Sequence, residues 1–178
     1  MAIKIKPEVI INERAIQNDL KKFAKVCAET VAWEAQTMLM KFAEEQMWGY
    51  YMEYEPYEYF RTDAMLDYSY QPFFVKNGDS YEGGIWINSS FTNHKPKGRT
   101  FTEEDLYENV WVRGSHGLEM VGYKNEWQDT RRLQEILGEP NRLEKVKKKA
   151  YSKQTKNQLL AKGMRKAKAQ TYSILNFK

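Results

Sequence analysis

At 178 residues the chain can bury one hydrophobic core, but it is too short for two independent domains to be the default. Its 14 % aromatic content is too high for a disordered chain. Cys27 is the sole cysteine of the sequence, which excludes an intrachain disulfide and a thiolate zinc cluster, and we expect it to be a buried small hydrophobic residue. Without a long apolar run, the sequence predicts synthesis in the cytoplasm and no membrane partner.

Charge is distributed unevenly along the sequence. The formal net charge is +4, yet residues 141–178 carry twelve Lys and Arg against the single acid Glu144, whereas residues 1–140 carry a surplus of seven acids. We therefore divide the chain into an acidic α+β core domain, residues 1–140, and a basic helical C-terminal extension, residues 141–178, that could end in a strand. Opposite charges on the two parts favour head-to-tail packing of copies, or different partners on different sides.

A long amphipathic helix is predicted from about residue 12. Apolar residues recur there at three- and four-residue steps for some nine turns, and Gly49 is placed to end the helix. A helix of about 35 residues would be roughly 50 Å long, so we expect part of its apolar stripe to contact a neighbouring subunit. The stripe consists of Ile16, Leu20, Phe23, Cys27, Val31, Ala35, Met38 and Phe42.

Residues 50–62 interrupt this periodicity with Pro56 and hold six aromatic residues, which predicts an ordered connector anchored by its rings. A short helical turn is predicted over residues 63–68. We then expect an α+β fold, in which the long helix packs on a small antiparallel β-sheet.

A β-hairpin is predicted from two extended stretches, residues 72–76 and 81–88, which flank the turn residues Asn77-Gly78-Asp79. The pair Gly83-Gly84 within the second stretch indicates a bulge or a close approach of another backbone.

The middle of the sequence predicts loops and short helices. Residues 91–102 are expected to form a loop, and Thr102, followed by three acids, is expected to begin a short helix. Residues 114–122 are predicted to be a second loop. Residues 126–137 are predicted to form a helix that Gly138 and Pro140 end.

The C-terminal part is predicted to be helical over residues 142–168, and residues 171–177 are β-prone and could add as a strand to a sheet edge. The expected apolar side of this helical part is thin. It consists of Leu143, Val146, Ala150, Leu159 and Met164.

No catalytic, metal or cofactor site is predicted. His94 and His116 are the two histidines of the sequence, each in a polar stretch, and neither has a neighbour at metal-ligand spacing. The acids from Glu103 to Glu108 are explained by the helix dipole at a first turn, so an enzyme with a carboxylate pair is the weaker alternative.

The strongest electrostatic feature is the basic C-terminal part. Such a surface attracts the DNA backbone without reading sequence, or it docks against an acidic partner, and the sequence leaves both alternatives open. The cations concerned are Lys147, Lys148, Lys149, Lys153, Lys156, Lys162, Arg165, Lys166 and Lys168.

Residues 54–62, YEPYEYFRT, followed by Leu66 and Ser69, resemble a pattern found in small neck or tail-completion proteins of long-tailed bacteriophages that infect Gram-positive bacteria. In that family the segment follows a long first helix and precedes a β-hairpin. The resemblance spans roughly residues 12–90, about half of the chain. The stretch 91–123 and the basic end depart from the family's short pattern.

This resemblance implies a structural virion protein without enzymatic activity, located at the head-tail interface and in the host cytoplasm during assembly. It implies a ring, which we expect to be a hexamer, between portal or adaptor proteins and tail-tube or terminator proteins. A tail terminator and a DNA-binding accessory protein are the alternatives. Aromatic residues favour interfaces. The expected subunit interface consists of Tyr50, Tyr51, Tyr54, Pro56, Tyr57, Tyr59, Phe60 and Arg61.

Overall fold

The computed structural model describes residues 13–53, 66, 70–87, 102–121 and 132–175. The fold is α+β, as the sequence predicts, with a long first helix, two antiparallel strand pairs and further helices. The elements in chain order are α1 (Glu13–Met52), β1 (Tyr70–Asn77), β2 (Ser80–Ile87), α2 (Glu103–Asp105) with a π-helical continuation (Leu106–Val112), β3 (Ser115–Val121), β4 (Arg132–Leu137), α3 (Arg142–Ala150) and α4 (Lys153–Leu175).

Helix α1 contains 40 residues, so it is about 60 Å long. The prediction that Gly49 ends this helix is wrong, because α1 continues to Met52. The reason is packing: a Cβ at Gly49 would lie 3.1 Å from Nη1 of Arg142. Gly49, a residue within α1, therefore leaves room for the buried guanidinium of Arg142 beside the helix.

The predicted β-hairpin is confirmed. Strands β1 and β2 pair from Tyr70↔Ile87 to Asn77↔Ser80 in an uninterrupted register, and the turn residue Gly78 has a positive φ of 60°. The register contains no bulge, so the pair Gly83-Gly84 is explained by the close approach of another backbone. A Cβ at Gly83 would collide with the carbonyl group of Ala32, which means that the hairpin lies directly on the backbone of α1.

The hydrophobic core forms where the C-terminal half of α1 meets β1, the π-helical segment and α3. Trp111 and Leu106 are fully buried there, and the ring of Tyr70 contacts Trp111 edge to face at 6.3 Å. The core residues are Phe42, Ala43, Met47, Tyr50, Tyr70, Leu106, Val110, Trp111 and Val146.

The predicted start of a short helix at Thr102 is confirmed. The backbone N–H of Asp105 donates to Oγ1 of Thr102 at 3.1 Å, and the backbone N–H of Thr102 donates to Oδ2 of Asp105 at 3.0 Å. This reciprocal pair is a capping box. It shows that Asp105, one of the clustered acids, serves the helix start.

Two predictions for the middle of the chain are wrong. Residues 115–121 form β3 where a loop was expected, and residues 132–137 form β4 where a helix was expected. The two strands pair antiparallel with each other, with an irregularity between Ser115 and Gly117. Residues 132–137 contain good helix formers, so pairing with β3 overrides their local preference.

The C-terminal residues are helical, as predicted, but they form two helices separated by Tyr151 and Ser152. Ser152 begins the second helix, since its Oγ accepts the backbone N–H of Thr155 at 3.2 Å. The expected terminal strand is not formed, because α4 continues to Leu175. Extending an existing helix adds one hydrogen bond per residue, which outweighs a modest β preference.

Helix α4 packs along α1 through a stripe of every fourth residue: Thr155, Leu159, Gly163 and Ala167 are buried. At Gly163 a Cβ would lie 2.7 Å from Cγ2 of Val31 and 2.8 Å from the carbonyl oxygen of Cys27. Cys27 is partly buried at this contact. Met164, which was assigned to the apolar side, is instead 49 % exposed.

Helix α3 also packs on α1, and Val146 of α3 belongs to the core. The domain division at residue 140 stays a prediction. The predicted turn at 63–68, apart from Leu66, and the loop predicted from residue 91 lie outside the described residues, except for Thr102.

Candidate functional site

A partly buried group of polar side chains, which we call the Glu53 cluster, consists of Tyr50, Glu53, His116 and Arg142. The side chain of Arg142 is 1 % exposed, and its Nη2 lies 2.6 Å from Oε1 of Glu53. Its Nη1 donates a hydrogen bond of 2.8 Å to the carbonyl oxygen of Gln46 in α1. The first residue of α3 is thereby fixed to the end of α1.

The second carboxylate oxygen of Glu53 contacts the segment after β4 and the start of β3. Oε2 accepts the backbone N–H of Glu139 at 3.0 Å and lies 3.3 Å from Nε2 of His116. A Cβ at Gly138 would collide with this carboxylate and lie 2.6 Å from Nε2 of His116. The missing side chain at Gly138 is thus what lets the carboxylate and the imidazole meet.

Tyr50 completes the cluster from within α1. Its hydroxyl donates to the carbonyl oxygen of Ser115 at 2.7 Å, and its ring stacks on His116 with the ring centres 4.1 Å apart. The guanidinium of Arg142 lies 5.6 Å from the centre of the same ring, within the range of a cation–π contact.

The cluster holds Glu53 in its ionised form. Burial by itself raises the pKa of Glu53, but the hydrogen bonds from the N–H of Glu139 and from the side chains of Arg142 and His116 together lower it below the ordinary 4.5. The carboxylate therefore stays charged at neutral pH and is unsuited to donating a proton there.

The carboxylate of Glu53 holds four parts of the chain together: α1, β3, the turn after β4 and α3. Among the described residues, no group of three His, Cys, Asp or Glu is placed to hold a metal ion. The geometry of the Glu53 cluster thus supports a rigid scaffold, and the candidate functional surfaces lie elsewhere on the molecule.

Two of the eight residues assigned to a subunit interface are described by the structure. Tyr50 is buried within the chain, and Tyr51 is partly buried with its ring edge-on to Tyr50 at 5.8 Å. Both lie in α1, so this part of the expected connector is helical. The other six, Tyr54, Pro56, Tyr57, Tyr59, Phe60 and Arg61, lie outside the described residues, and the interface stays a prediction.

The basic residues divide into two groups. Three of them form ion pairs within the chain: Lys147 with Glu144, Lys149 with Glu45, and Lys162 with Glu34. The remaining cations of the predicted surface are all exposed: Lys148, Lys153, Lys156, Arg165, Lys166 and Lys168. The pairs of Lys149 with Glu45 and of Lys162 with Glu34 join α3 and α4 to α1, whereas the pair of Lys147 with Glu144 lies within α3. The exposed cations of α4 are the candidate surface for a partner.

The outer side of the β1–β2 hairpin carries an apolar surface, the hairpin face, formed by Phe73, Val75 and Trp86. The register places the three side chains on one side of the hairpin, opposite the side that packs on α1. Trp86 is 63 % exposed, and its ring centre lies 4.8 Å from that of Phe73. The ring of Trp86 is exposed, whereas the ring of Phe73 is partly buried. An apolar patch of neighbouring residues at a surface is typical of interaction sites.

Further apolar side chains are exposed along α1. Near its start Ile16 and Leu20 are 50 % and 62 % exposed, although they belong to the predicted apolar stripe. Trp33, Trp48 and Met52 of the same helix are also more than half exposed. Within the described residues, the predicted stripe is therefore exposed at Ile16 and Leu20, and its contact with a neighbouring subunit stays a prediction.

The sequence did not reveal the Glu53 cluster. The sequence predicts a loop over residues 114–122, but His116 lies in β3 and its side chain is 4 % exposed. The sequence patterns assign no role to Glu53 or Arg142. A usable signal existed in Gly138 and Pro140, which mark a close approach immediately before Arg142.

The described part of the chain has no helix that is both long and apolar enough to cross a membrane. In comparisons with known proteins, the chain matches no family model, no curated protein and no solved structure.

Proposed function

We propose that this chain is a structural subunit of a bacteriophage neck, where it joins head and tail as part of a ring of copies. Its role is assembly and it performs no catalysis. Portal or adaptor proteins on one side and tail-tube or terminator proteins on the other are its proposed partners. The resemblance of residues 54–62 to neck and tail-completion proteins supports this proposal.

The observation that carries the proposal is the hairpin face. Trp86 and Val75 present apolar surface to solvent next to the partly buried Phe73, while the opposite side of the same hairpin packs on α1. Aromatic side chains are enriched in protein interfaces, and they are favoured as central contacts in them. A subunit whose contacts are completed by neighbours accounts for this surface.

The edges of the hairpin also favour assembly. Among the described residues, β1 and β2 pair with each other and with no third strand. A two-stranded sheet exposes unpaired N–H and C=O groups along both outer edges, and such edges accept strands from other chains. Edge pairing and burial of the hairpin face can therefore act together in one contact.

The experiment is native mass spectrometry of the purified chain over a range of concentrations, with a Trp86→Lys variant. The proposal expects oligomers for the natural sequence and a shift toward monomer for the variant, because a charge replaces a central apolar contact. Tyr151→Lys is the matched control: Tyr151 is 70 % exposed but lies between α3 and α4, away from the hairpin.

Unfolding curves of both variants show whether the fold is kept, so that loss of assembly is separated from loss of structure. A strict monomer at high concentration that binds neither portal nor tail proteins would overturn the proposal. Equal loss of oligomers in Trp86→Lys and Tyr151→Lys would show that the hairpin face is not the contact between subunits.

The second candidate function is that of a stand-alone DNA-binding accessory protein. The exposed cations of α4 favour it, since such a surface attracts nucleic acid without any ring. The two candidates differ in oligomeric state: the accessory protein binds DNA as a monomer, whereas the neck subunit forms oligomers in the absence of DNA.

A further inference from the structure

Helix α4 exposes most of its circumference. Between residues 153 and 170, the buried residues are the four of its contact stripe, Thr155, Leu159, Gly163 and Ala167. Since these recur every fourth residue, they form one narrow stripe that turns slowly around the helix, by about 40° per step. The other three positions of each turn point to solvent or to the flanks of the contact with α1.

The exposed part of α4 is entirely basic in its charged residues. Residues 153–170 contain six cations and no acid. Lys153 and Lys168 are separated by about 22 Å along the helix axis. Lys162 pairs with Glu34 of α1, whereas Lys153, Arg165 and Lys166 have no carboxylate partner among the described residues.

The cations surround the side of α4 that points away from α1. At 100° per residue, Lys153 and Arg165 are each two positions, or about 200°, from the nearest buried residue, as are the smaller residues Asn157 and Ala161, so these four lie opposite the stripe. Lys156 and Lys168 each follow a buried residue by one position, about 100° to one side of the stripe. Lys162 and Lys166 each precede a buried residue by one position, about 100° to the other side. The helix thus has a central exposed line with positive charge on both sides.

We infer that α4 binds the phosphate backbone of duplex DNA along this exposed side. An α-helix fits the major groove, which is about 12 Å wide, and cations on both flanks can reach the two phosphate strands that border it. The side chains of Asn157 and Ala161 in the central line are short, so the helix backbone can approach the groove closely. This inference rests on the second candidate function above, whose basic surface it assigns to α4, and it is independent of assembly through the hairpin face.

The composition of the surface distinguishes DNA from an acidic protein as the partner. Lysine is depleted in protein–protein interfaces, whereas protein–DNA interfaces are strongly positive and polar. Of the six cations on α4, five are lysines. The contacts go to phosphates, so binding is independent of sequence and weakens with salt.

Fluorescence anisotropy with a labelled duplex of mixed sequence tests the inference, at salt concentrations from 50 to about 300 mM. The variant Lys153→Gln/Arg165→Gln/Lys166→Gln removes three exposed cations of α4. Because each phosphate contact adds about 0.9 to the slope of log K against log salt, the slope should fall by about 2 to 3. Affinity at low salt should drop by about ten-fold or more.

The matched control is Lys21→Gln/Lys22→Gln/Lys25→Gln. It also removes three exposed lysines, but from α1. The inference expects this control to keep most of the slope. Equal losses in the two variants would overturn it, since binding would then follow net charge. No binding of duplex at 50 mM salt, or binding of poly-glutamate or anionic vesicles in preference to DNA, would overturn it as well.

Native mass spectrometry of the same α4 variant separates this inference from the proposed function. Unchanged oligomers together with lost DNA binding support both. Oligomers formed by a protein that does not bind duplex leave the neck proposal standing and remove DNA as the partner of α4.

Discussion

The C-terminal part and the middle of α1 are held in different ways. Near its C-terminus, large buried side chains such as Met47 and the ion pair of Glu53 with Arg142 fix the helix to three other elements. Further toward the N-terminus, α1 contacts α4 through small residues, with Gly163 lying against Cys27 and Val31.

This difference separates the residues that stabilise the fold from the residues that are exposed for binding. The Glu53 cluster buries charge and satisfies most of it internally, so it stabilises the fold and offers little to a partner. The α1–α4 contact buries only a narrow stripe, which leaves the cations of α4 exposed. We therefore expect large effects on stability at the cluster, and effects on binding along α4.

The largest effect on stability is expected for Arg142→Ala. The change removes a guanidinium that is 1 % exposed and leaves the carboxylate of Glu53 without its ion-pair partner. Removing one member of a fully buried pair costs about 3 to 5 kcal/mol in the free energy of unfolding. Because the side chain of Glu53 is 27 % exposed, we expect the loss near the lower end of that range. Urea unfolding measures the loss. Lys147→Ala is the control: its ion pair with Glu144 is exposed, and it should cost less than about 0.5 kcal/mol.

A smaller effect is expected for Gly163→Leu, which tests the contact between α1 and α4. Even a Cβ would lie 2.8 Å from the carbonyl oxygen of Cys27, so the larger side chain must push the two helices apart. Overpacking of this kind costs about 1 to 3 kcal/mol. The control, Ala161→Leu, adds the same side chain at an exposed position of α4 and should leave the unfolding midpoint nearly unchanged. Equal midpoints for both variants would contradict the close packing.

The smallest effect is expected from pH, through Glu53. Since the pKa of Glu53 is lowered below 4.5 in the folded chain, its ionised form adds stability that is fully present above pH 4.5. That stability disappears as pH falls through the lowered pKa. Wild type should therefore exceed Glu53→Gln in stability at neutral pH, and the difference should shrink below pH 4.5. A difference that stays constant down to pH 3 would show that the charge of Glu53 contributes nothing.

Local sequence signals were sufficient for α1 and the β1–β2 hairpin. The hydrophobic repeat of α1 persists over many turns, and the turn at Gly78 needs a positive φ that glycine adopts easily. The repeat and the turn both depend only on residues that are close together in the sequence. Strands β3 and β4 were missed because each is defined by its partner, with Ser115 paired to Leu137, and a segment such as 132–137 also suits a helix.

The sequence by itself determined the α+β class, the long helix, the hairpin and the basic C-terminal helices, since these follow from periodicity, turn residues and composition. Only the tertiary structure decided that Glu53, His116 and Arg142 meet, and which lysines pair with acids of α1. Contacts between residues 60 to 130 positions apart depend on how the elements pack, and no local pattern records that packing.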